Sequence, residues 1–472
     1  MPGFGIGLNS AAHSLSAIQQ ALSTVQNNIV NASTPGYAAE RTDFSADALQ
    51  LSQGLTGGLE VSFSSTRDVH LDSSVRRETS ALGMLEQTNP LLTSLQNAFS
   101  GSGDSGLPAT LSSFSSAFGT LSAAPNDTTA RSTVIDAAAR VADAFNQAAS
   151  QIRQVGNDAA QVATSTVAAI NQLTAHIATL NGEIQRGAKE DAGVAANLYS
   201  SIESLSQLVN ISVNVNSDGT ASILLGGQSA LVLGATAQSI AVRPRTPSAS
   251  ASYPGGDAGL QLLDHSGADI TSQATLGRLG AALEIRNQIV PHYIGNQDQP
   301  GELNVLAKSF AGRVNTILNA AQTTSGAMPT NLFAYNLADD TKAAISLSLT
   351  GITAAQIVSG DATSINGAAL ELTNFDSPSN ALDMVNGLSF AAYYGSIASR
   401  AGSDAANAAA DLAMQQDLAT QAQNQRADVS GVSLNDQAAQ LLSLQQAYQA
   451  TARIITVLDN LCQTAVNLIP QA

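Results

Sequence analysis

The first 39 residues contain no Asp, Glu, Lys or Arg, and Glu40 is the first charged side chain. Within this stretch Leu8, Ala11, Leu15, Ile18, Leu22, Val25 and Ile29 recur at alternating steps of three and four. That spacing is the apolar seam of a helix made to pack against another helix. Asn9-Ser10 is a candidate cap for its start and Thr34-Pro35-Gly36 a candidate stop, because proline restricts the residue before it and glycine permits a turn. The far end repeats the pattern. Leu441, Leu444, Tyr448, Thr451, Ile455, Leu458, Cys462, Ala465 and Ile469 follow the same steps, and from Gln437 to Ala472 only Arg453 and Asp459 are charged. An ordinary solvated helix carries Glu and Lys on its outer face. Neutral amides and hydroxyls suit burial between neighbouring chains, where they pair without the desolvation cost of a charge. A single helix of this length is marginal in water. Each seam residue contributes about 1.5–3 kcal/mol when fully buried, so the two ends need each other or a partner. The simplest arrangement pairs them antiparallel, with the rest of the chain inserted between.

Only 12% of the 472 residues are charged, about half the usual share, while 44% are hydrophobic. The chain can therefore build several cores, packed with small side chains and wetted by neutral polar groups. Its net charge of −17 repels phosphate backbones, so no nucleic-acid partner is expected. No long uninterrupted apolar run occurs, so no membrane insertion is expected. Cys462 is the only cysteine, which excludes an intrachain disulfide and a cysteine zinc site. Met1-Pro2-Gly3-Phe4-Gly5-Ile6-Gly7 lacks the basic and apolar segments of a cleavable signal peptide. Export of an unprocessed chain would leave the same mark.

Between the ends the pattern is mostly helical. Val134, Ala138, Val141, Phe145, Ala148, Ile152 and Val155 carry a helical stripe, as do Thr166 to Ile184 and Leu198 to Leu208. The period then changes. Ile211, Val213 and Val215 alternate, Ser217-Asp218-Gly219 turns, and Ser222 to Leu225 returns, which predicts a β-hairpin. Leu231 to Leu233 and Ile240 to Val242 extend the β region, and Gly54 to Ser64 reads as a glycine-rich turn with a short strand. Helices resume near 276–290, 303–321 and 391–426. The expected fold class is mainly α with a small β insertion (α+β). Its discontinuous domains are nested: 1–40 plus 432–472 as a terminal coiled coil, 41–209 plus 276–431 as a helical bundle, and 210–275 as a β-rich insertion.

No catalytic constellation emerges. Gly101-Ser102-Gly103-Asp104-Ser105-Gly106 fits a dinucleotide-loop pattern, but a helical stretch precedes it and Leu107-Pro108 follows, so it reads as a flexible loop. His13, His70, His176, His265 and His292 show no metal-ligand pairing. Asp68, His70 and Ser73 lack a nucleophile turn. No cofactor, metal or enzymatic activity is expected.

Two segments carry a resemblance. Asn28-Ile29-Val30-Asn31-Ala32-Ser33-Thr34-Pro35-Gly36-Tyr37 resembles the N-terminal signature of flagellar rod, hook and hook-associated protein 1 subunits. Ser430-Gly431-Val432-Ser433-Leu434, then Gln445-Gln446-Ala447-Tyr448-Gln449-Ala450, resembles their C-terminal signature. The block Tyr394 to Arg426 and the helical middle are similar to hook-associated protein 1 rather than to hook or rod subunits, whose middles are β-rich. A hook or distal rod subunit is the alternative. The resemblance implies a structural subunit at the hook–filament junction, exported by the flagellar type III apparatus. Its implied partners are further copies of itself in a ring, the hook protein, a second hook-associated junction protein, and an export chaperone on the C-terminal helix. The expected subunit interface comprises Leu8, Leu15, Ile18, Leu22, Val25, Ile29, Leu441, Leu444, Tyr448, Ile455, Leu458 and Ile469. The motif residues are Asn28, Asn31, Thr34, Pro35, Gly36, Tyr37, Ser430, Gly431, Val432, Gln446, Tyr448, Gln449 and Ala450.

Overall fold

The computed structural model describes residues 2–47, 58–100, 106–188, 191–377 and 380–467. The chain opens with helix α1 (Pro2–Val30), a hairpin of β1 (Glu40–Asp47) and β2 (Gly58–Ser65), and α2 (Val69–Phe99). Helices α3 (Leu107–Ala123), α4 (Thr128–Gln185) and α5 (Ala192–Leu208) follow. The β region comprises β3 (Ile211–Val215), β4 (Ala221–Leu225), β5 (Ser229–Leu233), β6 (Thr236–Ala237), β7 (Ala241–Pro244) and β8 (Leu260–Leu263). Then come α6 (Gly277–Glu284), a π-helical turn (Ile285–Ile289), α7 (Val290–Ile294) and α8 (Glu302–Thr324). Short strands β9 (Phe333–Ala334) and β10 (Ser348–Leu349), helix α9 (Gly367–Thr373) and strands β11 (Met384–Val385) and β12 (Leu388–Ser389) lead into α10 (Phe390–Ser430) and α11 (Leu434–Asn467). The molecule is mostly helical, with small antiparallel sheets. Among the described residues no helix is long and apolar enough to cross a membrane, and no group of His, Cys, Asp and Glu could hold a metal.

Two hydrophobic cores organise the middle of the chain. The first joins α2, α3, the front of α4, α7, α8, α9 and the start of α10. Eight of the eleven phenylalanines lie in it, which explains how a chain without Trp fills a large interior. Phe310 of α8 is at the centre, its ring facing those of Phe114, Phe145, Phe333, Phe375 and Phe390. The second core lies between the back of α4, α5, the β region and α6. Helix α4 runs through both cores. Its 58 residues span roughly 90 Å at the usual helical rise, and its buried stripe passes from Val155 and Ala159 in one core to Ala163 and Val167 in the other.

The run from α6 to α7 also crosses between the cores, and there the uniform helix expected over 276–290 is interrupted by the π-turn. Leu279, Ala282 and Leu283 face the second core, whereas Ile285, Val290 and Tyr293 face the first. One added residue in a helical turn rotates the following face by about 100°, which carries the apolar stripe from one core to the other.

The hairpin expected at 211–225 is present, with Ile211 opposite Leu225 and Val215 opposite Ala221. It continues into an antiparallel four-stranded meander, β3-β4-β5-β6. On β4, Ala221, Ile223 and Leu225 are buried while their neighbours are not, as expected of a strand with one face on a core. The predicted turn of 54–57 lies outside the described residues, as do 101–105 of the glycine-serine loop. Helix α1 departs from expectation in beginning at Pro2, not near Asn9-Ser10. Proline is well placed in a first turn because its missing N–H has no helical acceptor there.

Asparagine does much of the stapling between helices and strands. Asn181 donates to Ala221 O (2.8 Å) and accepts from Ala221 N (2.9 Å). Asn171 does the same to Ile240, Asn287 to Leu260 and Asn315 to Phe333. A primary amide offers one donor face and one acceptor face, so it completes a strand edge as a neighbouring peptide would. This is how a chain poor in charge satisfies its buried backbone.

Candidate assembly site at the neck of the paired termini

Helices α1 and α11 pack against each other. They run antiparallel: along α1 from Gly7 through Gln19 to Asn28, the partner positions retreat from Leu458 through Tyr448 to Gln437. Gln19 Nε2 donates to Tyr448 Oη at 3.3 Å. Of the seam residues, Ile18 and Val25 are buried, and Leu8, Leu15, Leu22, Ile29, Leu441, Leu444, Tyr448, Ile455 and Leu458 are half-buried. Ile469 lies outside the described residues. Cys462 is half-buried and His13 exposed.

At the base of this pair the N-terminal motif closes on itself. Asn28 is completely buried, with 0% of its surface exposed. Its Nδ2 donates to Glu40 O (2.8 Å) and to Gln437 Oε1 (3.0 Å). Its Oδ1 accepts from Tyr37 Oη (2.7 Å) and Glu40 N (3.0 Å). One amide thus joins the end of α1, the following turn, the start of β1 and the first turn of α11. The intervening turn is held by its own side chains. Asn31 Nδ2 donates to Asn27 O, and Thr34 Oγ1 donates to Asn31 Oδ1 at 3.2 Å. Gly36 has φ of +76°, and a Cβ there would lie 2.5 Å from Ala196 O of α5. Only glycine tolerates both the conformation and the approach.

The C-terminal motif meets the same place from the other side. Ser430 ends α10; its O accepts from Ala39 N (2.9 Å), and its Oγ donates to Thr66 O (3.0 Å). A Cβ on Gly431 would lie 2.3 Å from Ala427 O, so a small residue is needed where the chain leaves α10. Ser433 precedes α11 and its Oγ accepts from Asp436 N, the usual N-cap arrangement. Val432 is half-buried. Pro35, Gln446, Gln449 and Ala450 are exposed and take no part in the neck.

A charged cluster braces the neck against the body. Arg67 pairs with Asp72 (3.0 Å), donates to Gly36 O, and stacks 3.5 Å above the centre of the Tyr199 ring. Arg426 pairs with Glu203 at 2.7 Å and lies 3.7 Å from Asp72. Asp72 is 95% buried at its side chain, so its two arginines are what make its burial tolerable. The sequence marks Arg426 only as the end of the block Tyr394 to Arg426, and it does not mark Arg67, Asp72, Tyr199, Glu203 or Gln437. Nearby Asp68, considered with His70 and Ser73 as a triad, accepts from the backbone N–H groups of His70 and Leu71 and caps α2. No periodicity marks such pairs, because their partners come from distant segments.

Burial, with a smaller contribution from Glu40, pushes the Tyr37 phenol up to about 12. Burial does the same to Tyr293 and Tyr394, both to about 12. A phenol raised in the folded state stabilises the fold fully below its unfolded value of 10.0, and that contribution is lost as pH climbs from there toward 12. Alkaline titration followed by phenolate absorbance should therefore show these three tyrosines ionising late, together with unfolding. Early ionisation of all eight tyrosines, with the fold intact, would contradict it.

The comparisons with known proteins agree with this architecture. Residues 92–333 match the family model described as the flagellar hook-associated protein FlgK helical domain, and residues 423–468 match the flagellar basal body rod FlgEFG protein C-terminal model. Flagellar hook-associated protein 1 of Bacillus subtilis is 26% identical over 98% of both chains. That of Escherichia coli is 23% identical over 98% of this chain and 99% of its own. The solved structure of the flagellar hook junction protein FlgK from Burkholderia pseudomallei shares the fold at a TM-score of 0.63 and 17% identity, over 76% of this chain and all of that one. With a family model covering more than half its length, a full-length pattern of relatives and terminal signatures that close one neck, the chain belongs to the flagellar hook-associated protein 1 (FlgK) family.

Proposed function

We propose that this chain is the structural subunit that joins hook to filament, exported without signal cleavage by the flagellar type III apparatus and polymerised through its terminal helices. The family is structural and not enzymatic. The observation that carries the proposal is an apolar stripe on the outside of the terminal pair. Leu442, Ile454, Val457 and Leu461 project from α11 into solvent, each about half exposed or more. The helix around them is nearly free of charge. A lone molecule gains nothing from such a stripe, whereas neighbouring copies in a ring would bury it.

In this reading 1–40 plus 432–472 form the inner, assembling domain. Residues 41–209 plus 276–431 form the body, and 210–275 form an outward insertion. Hook protein meets one end of the ring, a second junction protein meets the other, and an export chaperone holds the C-terminal helix before secretion. Leu22→Asp and Leu444→Asp each bury an unpaired charge on the seam. Each should abolish incorporation while leaving the body folded. Electron microscopy of flagella, with immunogold label on the subunit, checks this. The expected result is a single band at the distal end of the hook in the unaltered chain and none in either variant. Normal junctions built from either variant would defeat the proposal.

A further inference from the structure

The hairpin of β1 and β2 has one apolar face. Its register sets Thr42 opposite Phe63 and Phe44 opposite Val61, so these four and Leu59 share that face, with Phe44 diagonal to Phe63. Helix α1 covers part of it. Leu59 N donates to Ser14 Oγ at 3.2 Å, and Leu59 and Val61 are half-buried. The cover is incomplete. Phe44 and Phe63 remain 41% and 44% exposed, whereas the eight phenylalanines of the body are buried. Beside Phe63 a groove of about 670 Å³ opens between the hairpin and α1. Gln20, Ser23 and Asn27, one face of α1, form its helical wall, and Glu40 is the one charged residue among the described residues that line it.

Helix α11 carries a second stripe besides the seam it turns to α1. Ile454, Val457 and Leu461 are exposed and recur at i, i+3 and i+7, the spacing of a helix that lies in a groove. Each stands one position before a half-buried seam residue, Ile455, Leu458 or Cys462, so the stripe is turned about 100° around the helix from the seam. One α11 can therefore lie on its own α1 and in the groove of another copy at the same time. It cannot fill the groove of its own chain, because Leu458 lies beside Gly7, roughly 24 Å along α1 from Ser23. Of the two charges on this part of α11, Arg453 flanks the stripe and Asp459 falls on nearly the opposite side of the helix. A basic residue thus approaches a groove whose one charged lining residue is acidic, and the other groups that meet carry no charge to desolvate. A ring closed by rotation joins two different surfaces of each copy. The groove and the stripe are two such surfaces on one terminal domain.

We propose that the groove between α1 and the hairpin receives Ile454, Val457 and Leu461 from α11 of a neighbouring copy of this chain. The inference rests on the assembly reading above and names the surface on which the stripe closes. Phe63→p-benzoylphenylalanine sets a photoreactive ring in the groove with little change of shape there. The full chain bearing it should be assembled into flagella and irradiated. The expected product is a covalent dimer of this chain, its linkage mapped by mass spectrometry to residues 450–465. An adduct to an export chaperone, to hook protein or to another segment of this chain, or no adduct in assembled flagella, would overturn the proposal. Val457→Gln tests the stripe itself. Val457 is exposed in the free chain, so the melting temperature should not change, while incorporation should fall about tenfold, the effect of losing one buried aliphatic side chain. Undiminished incorporation of this variant would also defeat the proposal. The two readings fail separately. Immunogold label missing from the distal end of the hook in the unaltered chain refutes the junction role, whereas a normal band with photoadducts elsewhere refutes only the groove.

Discussion

Phe310→Ala is expected to lower the unfolding free energy of the helical body by about 3–5 kcal/mol. The Phe310 ring is 1% exposed and lies 5.3 Å from Phe114, 5.6 Å from Phe333 and 5.5 Å from Phe390, centre to centre. Its neighbours belong to α3, α4, β9, α10 and the turn after α9, so truncation opens a void where several independent elements meet. None of them can collapse into it without leaving its own packing. Phe310→Leu retains much of the volume and should lose about 1–2 kcal/mol. Urea unfolding followed by far- and near-ultraviolet circular dichroism measures both. An alanine variant with nearly unaltered stability would show that the ring cluster is not what holds the body together.

Asn28→Ala should loosen the paired termini and leave the body intact. It removes the bonds to the Tyr37 hydroxyl, to Gln437 Oε1 and to both peptide groups of Glu40, and each buried group left without a partner costs about 1–3 kcal/mol. About 3 kcal/mol of local stability is a conservative sum, because the site opens to water once the clasp fails. Hydrogen exchange should accelerate across the end of α1 and the start of α11, with little change in α4 or α8. Asn28→Asp is the sharper test. It keeps the size and the acceptor, but it removes both donor hydrogens and sets a carboxylate against Glu40 O and Gln437 Oε1. It should therefore be as damaging as alanine. Protection like that of the unaltered chain in Asn28→Asp would mean that the polarity of the clasp is irrelevant.

These two sites differ in how visible they were beforehand. Phe310 lies in the helix expected near 303–321, which residue order alone marks. Its role as the centre of a ring cluster is not so marked, because Phe114, Phe333 and Phe390 arrive from separate elements. Asn28 was singled out by its motif alone. That it bonds to Gln437 could not be anticipated from spacing, since the two residues are 409 positions apart.

Local and periodic features were legible from residue order. The seams of α1 and α11 follow from steps of three and four, and the β3–β4 hairpin from alternation around an Asp-Gly turn. Such signals are written within a turn or two of chain, so no tertiary knowledge is needed to read them. The asparagine staples, the Arg67–Asp72–Arg426 brace and the π-turn between the cores were decided only by the tertiary structure. Polar pairing has no period, and its partners are chosen by which distant backbone edges the packed cores bring within hydrogen-bond reach.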